Sequence, residues 1–424
     1  MTIAKSLRVR AIVFMAVVSM LLAACGSTSG SGGGGGIKGG PGVNLANHTI
    51  TLGVLTPLTG PVAAPIGIPL TAGVQLYFSA LNNAGGIDGF QIQLIQRDTQ
   101  YDPAKSVAGY NDIHTDVAML AESLGTAPTV AIKDLAAQDH MLVSAATLAS
   151  SLAREKYLIL IGTPYRLQVE NAFDYVTKKL GDTNPKTGII YQNDDYGQDG
   201  LTGYQESVKA YNLNDVGQAP YGVTDTSFVA EVSQMKAAAA KYVFLTTTPS
   251  ITAKIILTAH ALGYDPQWIL QSPAFHPSLL LVPGLGALMT KEAWVVSQGA
   301  SWGDTSKPGM AEMLSDIGVL NSKQQPDPFF EFGFTESKIT AAILKKAADN
   351  KDLSRDGIFK AFESLRNVDL GGLLPNLNYG SSSNPDQRVP SRDSSVYALD
   401  PTVPTGAKDL SGDFTGSAAA VSKF

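Results

Sequence analysis

From Thr49 onward the apolar residues switch repeatedly between a period of two and a period of three to four, and that alternation constrains the fold more than any other feature. Residues 49–55 set Ile50, Leu52 and Val54 two apart, residues 69–82 carry helical spacing behind an initial Pro, and residues 90–97 alternate again. The helix stops at Gly85-Gly86, where Gly accepts a left-handed cap, and Asp88-Gly89 turns the chain into the next strand. Asp102-Pro103 predicts a helix to about residue 115, followed by a strand at 117–120, a helix at 129–139 and a strand at 141–144. Strands separated by helix-length connections pair in parallel, so the pattern predicts an α/β sheet covered by helices.

A second series begins after the strand-like residues 157–161 and Gly162-Thr163-Pro164, a place for the chain to cross between lobes. Strands are expected at 188–192, 242–246, 268–271 and 293–297, with helices at 197–211, 228–240 and 251–262. Two doubly wound lobes follow, and in open α/β sheets ligands lie beyond the carboxyl ends of the strands, which places a cleft between them. Helices around 310–318, 335–349 and 354–365 return to the first lobe, and the polar residues 381–395 make an irregular excursion. The expected division is 47–164 with about 300–377 for lobe 1, and 165–299 with about 378–424 for lobe 2.

The N-terminus reads as an export signal. Lys5, Arg8 and Arg10 precede an uncharged apolar run at 11–22, too short for a comfortable bilayer span, and Leu22-Ala23-Ala24-Cys25 resembles the lipobox of bacterial lipoproteins. Residues 1–24 are thus expected to be removed and Cys25, the single cysteine, to carry the lipid. Residues 25–46, rich in Gly and Ser to Gly42, would tether the body to the membrane. Gly34, Gly36 and Gly39 match a dinucleotide fingerprint only in letters, with no strand before them and no helix after.

Other function classes lack material. The net charge of −6 becomes −9 without the signal, and no basic block remains to hold nucleic acid. His48, His114, His140, His260 and His276 never stand at helical ligand spacing, so no metal site and no cofactor is expected. No nucleophile elbow, zinc-protease helix or phosphate loop occurs, and the chain reads as no enzyme. Asp98, Asp102, Asp194, Asp195 and Asp199 fit ordinary turn and cap duty.

Four segments in register, ITLGVLTPLTGP at 50–61, LNNAGGIDG at 81–89, RDTQYDP at 97–103 and NDDYG at 193–197, resemble the branched-chain amino-acid class of ABC-transporter solute-binding proteins. The resemblance implies the type I periplasmic-binding-protein fold, two Rossmann-like lobes joined by a three-crossing hinge. It implies a monomeric, lipid-anchored extracytoplasmic receptor that closes on a small ligand and delivers it to a permease and ATPase. A sensory ectodomain of the same fold is the alternative, and the importer is favoured because no membrane span follows the lobes.

Carried over residue by residue, the resemblance assigns the ligand's carboxylate to Gly125, Thr126, Ala146 and Thr147, and a second-lobe contact to Tyr196. An aromatic position falls on about Pro65, a tyrosine position on Thr248, and the acid that pairs with the ligand's ammonium on about Pro273. Residues 270–276 contain no Asp or Glu, so a buried ammonium would lack its partner there, and Phe275 becomes a candidate wall. The expected ligand is amino-acid-like or, unless another acid reaches in to pair with an ammonium, an acid or amide with an apolar or aromatic remainder, the second being favoured by the lost acid.

Overall fold

The structure, a computed structural model, describes residues 36–379, 388 and 391–423. The expected signal peptide, Cys25, the Gly/Ser tract up to residue 35 and most of the excursion at 381–395 lie outside the described residues. The first sheet contains β1 (Val43–Asn44), β2 (Thr49–Thr56), β3 (Gln91–Asp98), β4 (Leu120–Leu124), β5 (Val143–Ala146) and β6 (Leu158–Ile159). Its parallel order is β3-β2-β4-β5-β6, with β1 antiparallel beside the start of β2. The second contains β7 (Lys186–Gln192), β8 (Asn214–Tyr221), β9 (Tyr242–Thr246), β10 (Gln267–Gln271), β11 (Ala293–Ser297), β12 (Ser395–Leu399) and β13 (Ala407–Asp409). Here β8-β7-β9-β10-β11 run parallel, and β12 and β13 extend the sheet antiparallel beyond β11.

Helices cover both sheets. The first lobe carries α1 (Ile68–Asn83), α2 (Pro103–Ile113) and α3 (Thr126–Gln138); the second carries α4 (Tyr165–Asp174), α5 (Asp195–Tyr211), α6 (Val229–Ala238), α7 (Pro249–Ala261) and α8 (Leu285–Glu292). Then α9 (Pro308–Val319), α10 (Pro328–Asp349) and α11 (Arg355–Ser364) pack on the first lobe, before α12 (Ser417–Val421) packs on α4 in the second. Because helices lie on both faces, β4 and β9 are buried along their whole length, the signature of parallel strands between two layers.

Four differences from the sequence expectation have physical causes. β4 starts at Leu120, and a register shift follows it between Gly53 and Val54; the apolar residues 117–119 form its lead-in, with Ala118 N donating to Thr51 O at 2.8 Å. β8 was not foreseen, because its residues Asn214, Asp215 and Gln218 face the solvent edge of the sheet. Residues 37–44 are docked rather than free: Lys38 N–H donates to Lys351 O at 2.9 Å, Leu353 N–H returns to Lys38 O at 2.7 Å, and Ile37 and Val43 pack on the first core. The fourth matters most for the cleft. α10 starts seven residues before 335, because Asp327 accepts from Phe329 N at 2.8 Å and Phe330 N at 3.1 Å, with Pro328 in the first turn.

That added turn is clamped onto α1. A Cβ on Gly73 would stand 2.1 Å from Phe330 O, and one on Gly333 2.0 Å from Leu70 O, so glycines set the helix spacing. The chain passes between lobes after β6 and again after β11, and it re-enters the second sheet at β12. Tyr379 still packs on Phe362 in the first lobe, slightly beyond the boundary expected at about 377. The passages meet at Thr163, whose hydroxyl lies 2.6 Å from Gln298 Oε1 and bonds the Asp393 carbonyl.

Candidate ligand cleft

The carboxyl ends of both sheets face a common cavity of about 1410 Å³ of atom-free space, a figure that includes its opening to solvent. All seven residues assigned from sequence, Gly125, Thr126, Ala146, Thr147, Tyr196, Thr248 and Phe275, stand on its wall. Pro273 is there too, while at the first loop Ile66 lines the cavity in place of neighbouring Pro65.

One polar zone lies where α3 begins. Gly125 holds φ +101°, a region closed to side-chain-bearing residues, and a Cβ would come 2.5 Å from the Tyr101 ring. The strand thereby turns at once into α3, whose first N–H groups have no partner within the helix and whose dipole favours an anion. Thr126 and Thr147 are both buried, and their hydroxyls meet at 2.6 Å. Hydroxyls and an open helix end can take a carboxylate without a cationic side chain; among the described residues, no Lys, Arg or His lines the cavity.

Tyrosines close this zone from both lobes. Tyr196, 2 % exposed on α5, donates to Thr247 O at 3.1 Å and meets Tyr165 edge to face with centroids 4.9 Å apart. Tyr101 reaches across from the first lobe, and burial, then the charge of Asp194, pushes its phenol well up. Gln100 and Tyr101 both take positive φ, held by Asp98, which accepts from Gln100 N at 3.0 Å and Leu58 N at 2.9 Å. Of the acids read as caps, Asp102 and Asp194 do cap α2 and α5. Asp199, by contrast, joins the lobes: buried within α5, it accepts from Ser150 N at 3.0 Å and Arg166 N at 3.1 Å.

The remaining wall mixes apolar side chains, Leu70, Phe275, Phe329, Phe332 and Leu374 among them, with neutral polar ones such as Gln168, Ser272, Gln298 and Thr335. Set into it is Glu331, one turn after the Asp327 cap, the only Asp or Glu among the described lining residues. It is 8 % exposed, and desolvation pushes its carboxyl up to about 8. Above it His276 Nε2 reaches from the second lobe to Asp327 Oδ2 at 2.9 Å.

Glu331, Phe329 and Phe332 were missed because residues 328–334 were not read as helix. The signal was present, since Asp327-Pro328 repeats the Asp102-Pro103 signature. Among the described residues no group of acids, His or Cys has metal-binding geometry.

Comparison with known proteins agrees with this architecture. The family model described as periplasmic binding protein matches residues 49–401. Leu/Ile/Val-binding protein homolog 3 of Brucella melitensis biotype 1 is 27 % identical over 350 residues, 79 % of this chain and 89 % of that protein. The Leu/Ile/Val-binding protein of Escherichia coli K12 is 25 % identical over 249 residues, 57 % of this chain and 67 % of that one. Among solved structures, a fatty acid ABC transporter substrate-binding protein from Thermomonospora curvata superposes with a TM-score of 0.83 at 26 % identity, covering 91 % of this chain and 97 % of its own. A branched chain amino acid ABC transporter from Thermus thermophilus with bound valine shares the fold, at a TM-score of 0.75 and 16 % identity over 88 % of this chain and 97 % of that one.

Proposed function

Because this chain belongs to the periplasmic binding protein family, as a solute-binding protein of the ABC-transporter type, we propose that it captures an amphipathic carboxylic acid lacking an ammonium group and presents it to a permease. The observation that carries the ligand class is the composition of the cleft wall. A carboxylate is provided for by Thr126, Thr147 and the start of α3, while Pro273 occupies the position that the resemblance gives to the ammonium's acid. An ammonium buried there without a carboxylate would cost several kcal/mol, whereas an alkyl or aryl remainder gains from Leu70, Phe275 and Phe332. The similarity to a fatty acid substrate-binding protein supports the same class. Gly125, Thr126, Ala146 and Thr147 are proposed to hold the carboxylate, Tyr196 and Thr248 to close the second-lobe side, and Phe275 to face the apolar remainder.

Attachment to the outer face of the membrane through a lipid on Cys25 is proposed from the lipobox-like LAAC at 22–25; Cys25→Ser should move the protein from the membrane fraction to the soluble one, and unchanged partition would reject the anchor. The ligand class is tested by a thermal-shift screen of the chain without its lipid against aliphatic and aromatic acids, their amides, and leucine, isoleucine and valine. A ligand at a hundred times its dissociation constant adds about 2.7 kcal/mol to the folded state and moves the midpoint by a few degrees. Shifts with the acids alone support the reading; a shift with leucine or valine but none with the acids overturns it.

A further inference from the structure

The cleft has two polar zones, and only the one at α3 is used by a simple carboxylate. The second is Glu331, which lines the cavity, is more than nine-tenths buried, and finds no hydrogen-bond partner for its carboxyl among the described residues. The two zones are distinct. The first stands at Gly125, Thr126 and Thr147 on the loops after β4 and β5, whereas Glu331 stands on α10, 4.0 Å from where a Cβ on Gly299 would be. The Leu374 side chain lies near the same Gly299 position, and no cation stands among the described lining residues. A buried carboxyl in that setting is held uncharged, so it offers an O–H donor and a carbonyl acceptor. An alkyl chain that expels water from this zone would leave both unused, which is costly and makes a purely alkyl occupant a poor fit.

We propose that Glu331 is a specificity-determining residue that hydrogen-bonds a second and uncharged oxygen function of the ligand. The preferred ligand is then an apolar carboxylic acid carrying a hydroxyl, keto or amide oxygen away from its carboxylate, rather than a plain alkyl acid. This rests on the reading of the cleft as a carboxylic-acid site.

The test measures, by calorimetry on the whole chain without its lipid, dodecanoate, its 2-, 3- and 12-hydroxy derivatives, and 12-aminododecanoate. The wild type should bind at least one hydroxy acid about tenfold or more tighter than dodecanoate, because a site built around a hydrogen bond rejects the analogue that cannot make it. Glu331→Gln keeps an uncharged donor and acceptor and should retain the preference; Glu331→Leu should abolish it while binding dodecanoate at least as well as the wild type. Indifference between dodecanoate and all hydroxy acids, or a preference that survives Glu331→Leu, overturns the inference while leaving the carboxylic-acid reading intact; tightest binding of 12-aminododecanoate overturns the inference and, with it, the absence of an ammonium from the ligand. Failure of every acid to bind removes that reading, and the inference with it.

Discussion

Replacing His276 with Ala removes a side chain that reaches from one lobe to the other. His276 Nδ1 accepts from Ser278 N at 3.1 Å, which leaves the hydrogen on Nε2, 2.9 Å from Asp327 Oδ2. The imidazole also lies parallel to the Phe329 ring at 6.2 Å. His276 follows β10 in the second lobe, whereas Asp327 caps α10 in the first, so the contact exists only when the lobes are together. Each lobe keeps its own structure without it, because Asp327 Oδ1 still accepts from Phe329 N and Phe330 N. A hydrogen bond to a charged acceptor contributes about 1.5–3 kcal/mol, and here the loss falls on lobe closure, raising the apparent dissociation constant about 10- to 150-fold. Calorimetry with an acid found in the screen measures the constant, and the melting midpoint of the ligand-free protein should fall by less in His276→Ala than in Asp327→Ala, which also loses a helix cap. An unchanged constant together with a midpoint drop equal to that of Asp327→Ala would refute the reasoning, since the contact would then support one lobe and not closure.

Two further outcomes follow from groups near the cleft. Tyr196 is both wall and packing, so Tyr196→Ala should weaken ligand binding and also cost about 3–5 kcal/mol of stability, while Tyr196→Phe, which loses only the bond to Thr247 O, should cost about 1 kcal/mol; chemical denaturation beside calorimetry separates them, and a Tyr196→Ala protein as stable as wild type would remove the packing role. Beneath the cleft, desolvation raises Glu122 from 4.5 to about 8 and raises Glu336 well above 4.5. A carboxyl whose folded value exceeds its unfolded one holds extra protons in the native state, so stability is fullest below about 4.5, falls as pH rises and levels off above about 8. Glu122→Gln, still able to accept from Thr71, should therefore gain on the wild type steadily between pH 5 and pH 8 in melting experiments; a difference independent of pH would contradict the assignment.

Much of this was legible because parallel sheets announce themselves. The periods at 49–55 and 69–82 fixed the first βα unit to within a residue or so, and the glycine needed at 125 stood in a loop that could be located by counting strands. What escaped were features whose cause is tertiary. β8 has a polar composition because it is an edge, and α4 has low apolar content because Gln168 and Asn171 are buried with partners supplied by other elements: Gln168 accepts from Ser272 N and donates to Thr163 O, and Asn171 accepts from Gly416 N and donates to the Arg392 carbonyl. Hydrophobic periodicity has no term for a polar residue satisfied at a distance.

The Asp-Pro signature shows where local reading should have carried further. At Asp102 and at Asp327 the same chemistry operates: the carboxylate accepts N–H groups of the first turn, and proline fits the position where no N–H is needed. Reading the second instance would have placed residues 328–335 on a helix, and helical spacing then puts Pro328, Glu331, Phe332 and Thr335 on one face, the face that lines the cavity. It would also have changed the electrostatic argument. Residues 270–276 offer the ammonium no acid unless another reaches in, and the structure sets one, Glu331, into the first-lobe wall of the cavity. An acid beside the carboxylate zone would serve an ammonium on the adjoining carbon. A buried acid whose carboxyl burial pushes up, in a wall where no cation stands among the described residues, suits instead a second polar group that carries no charge.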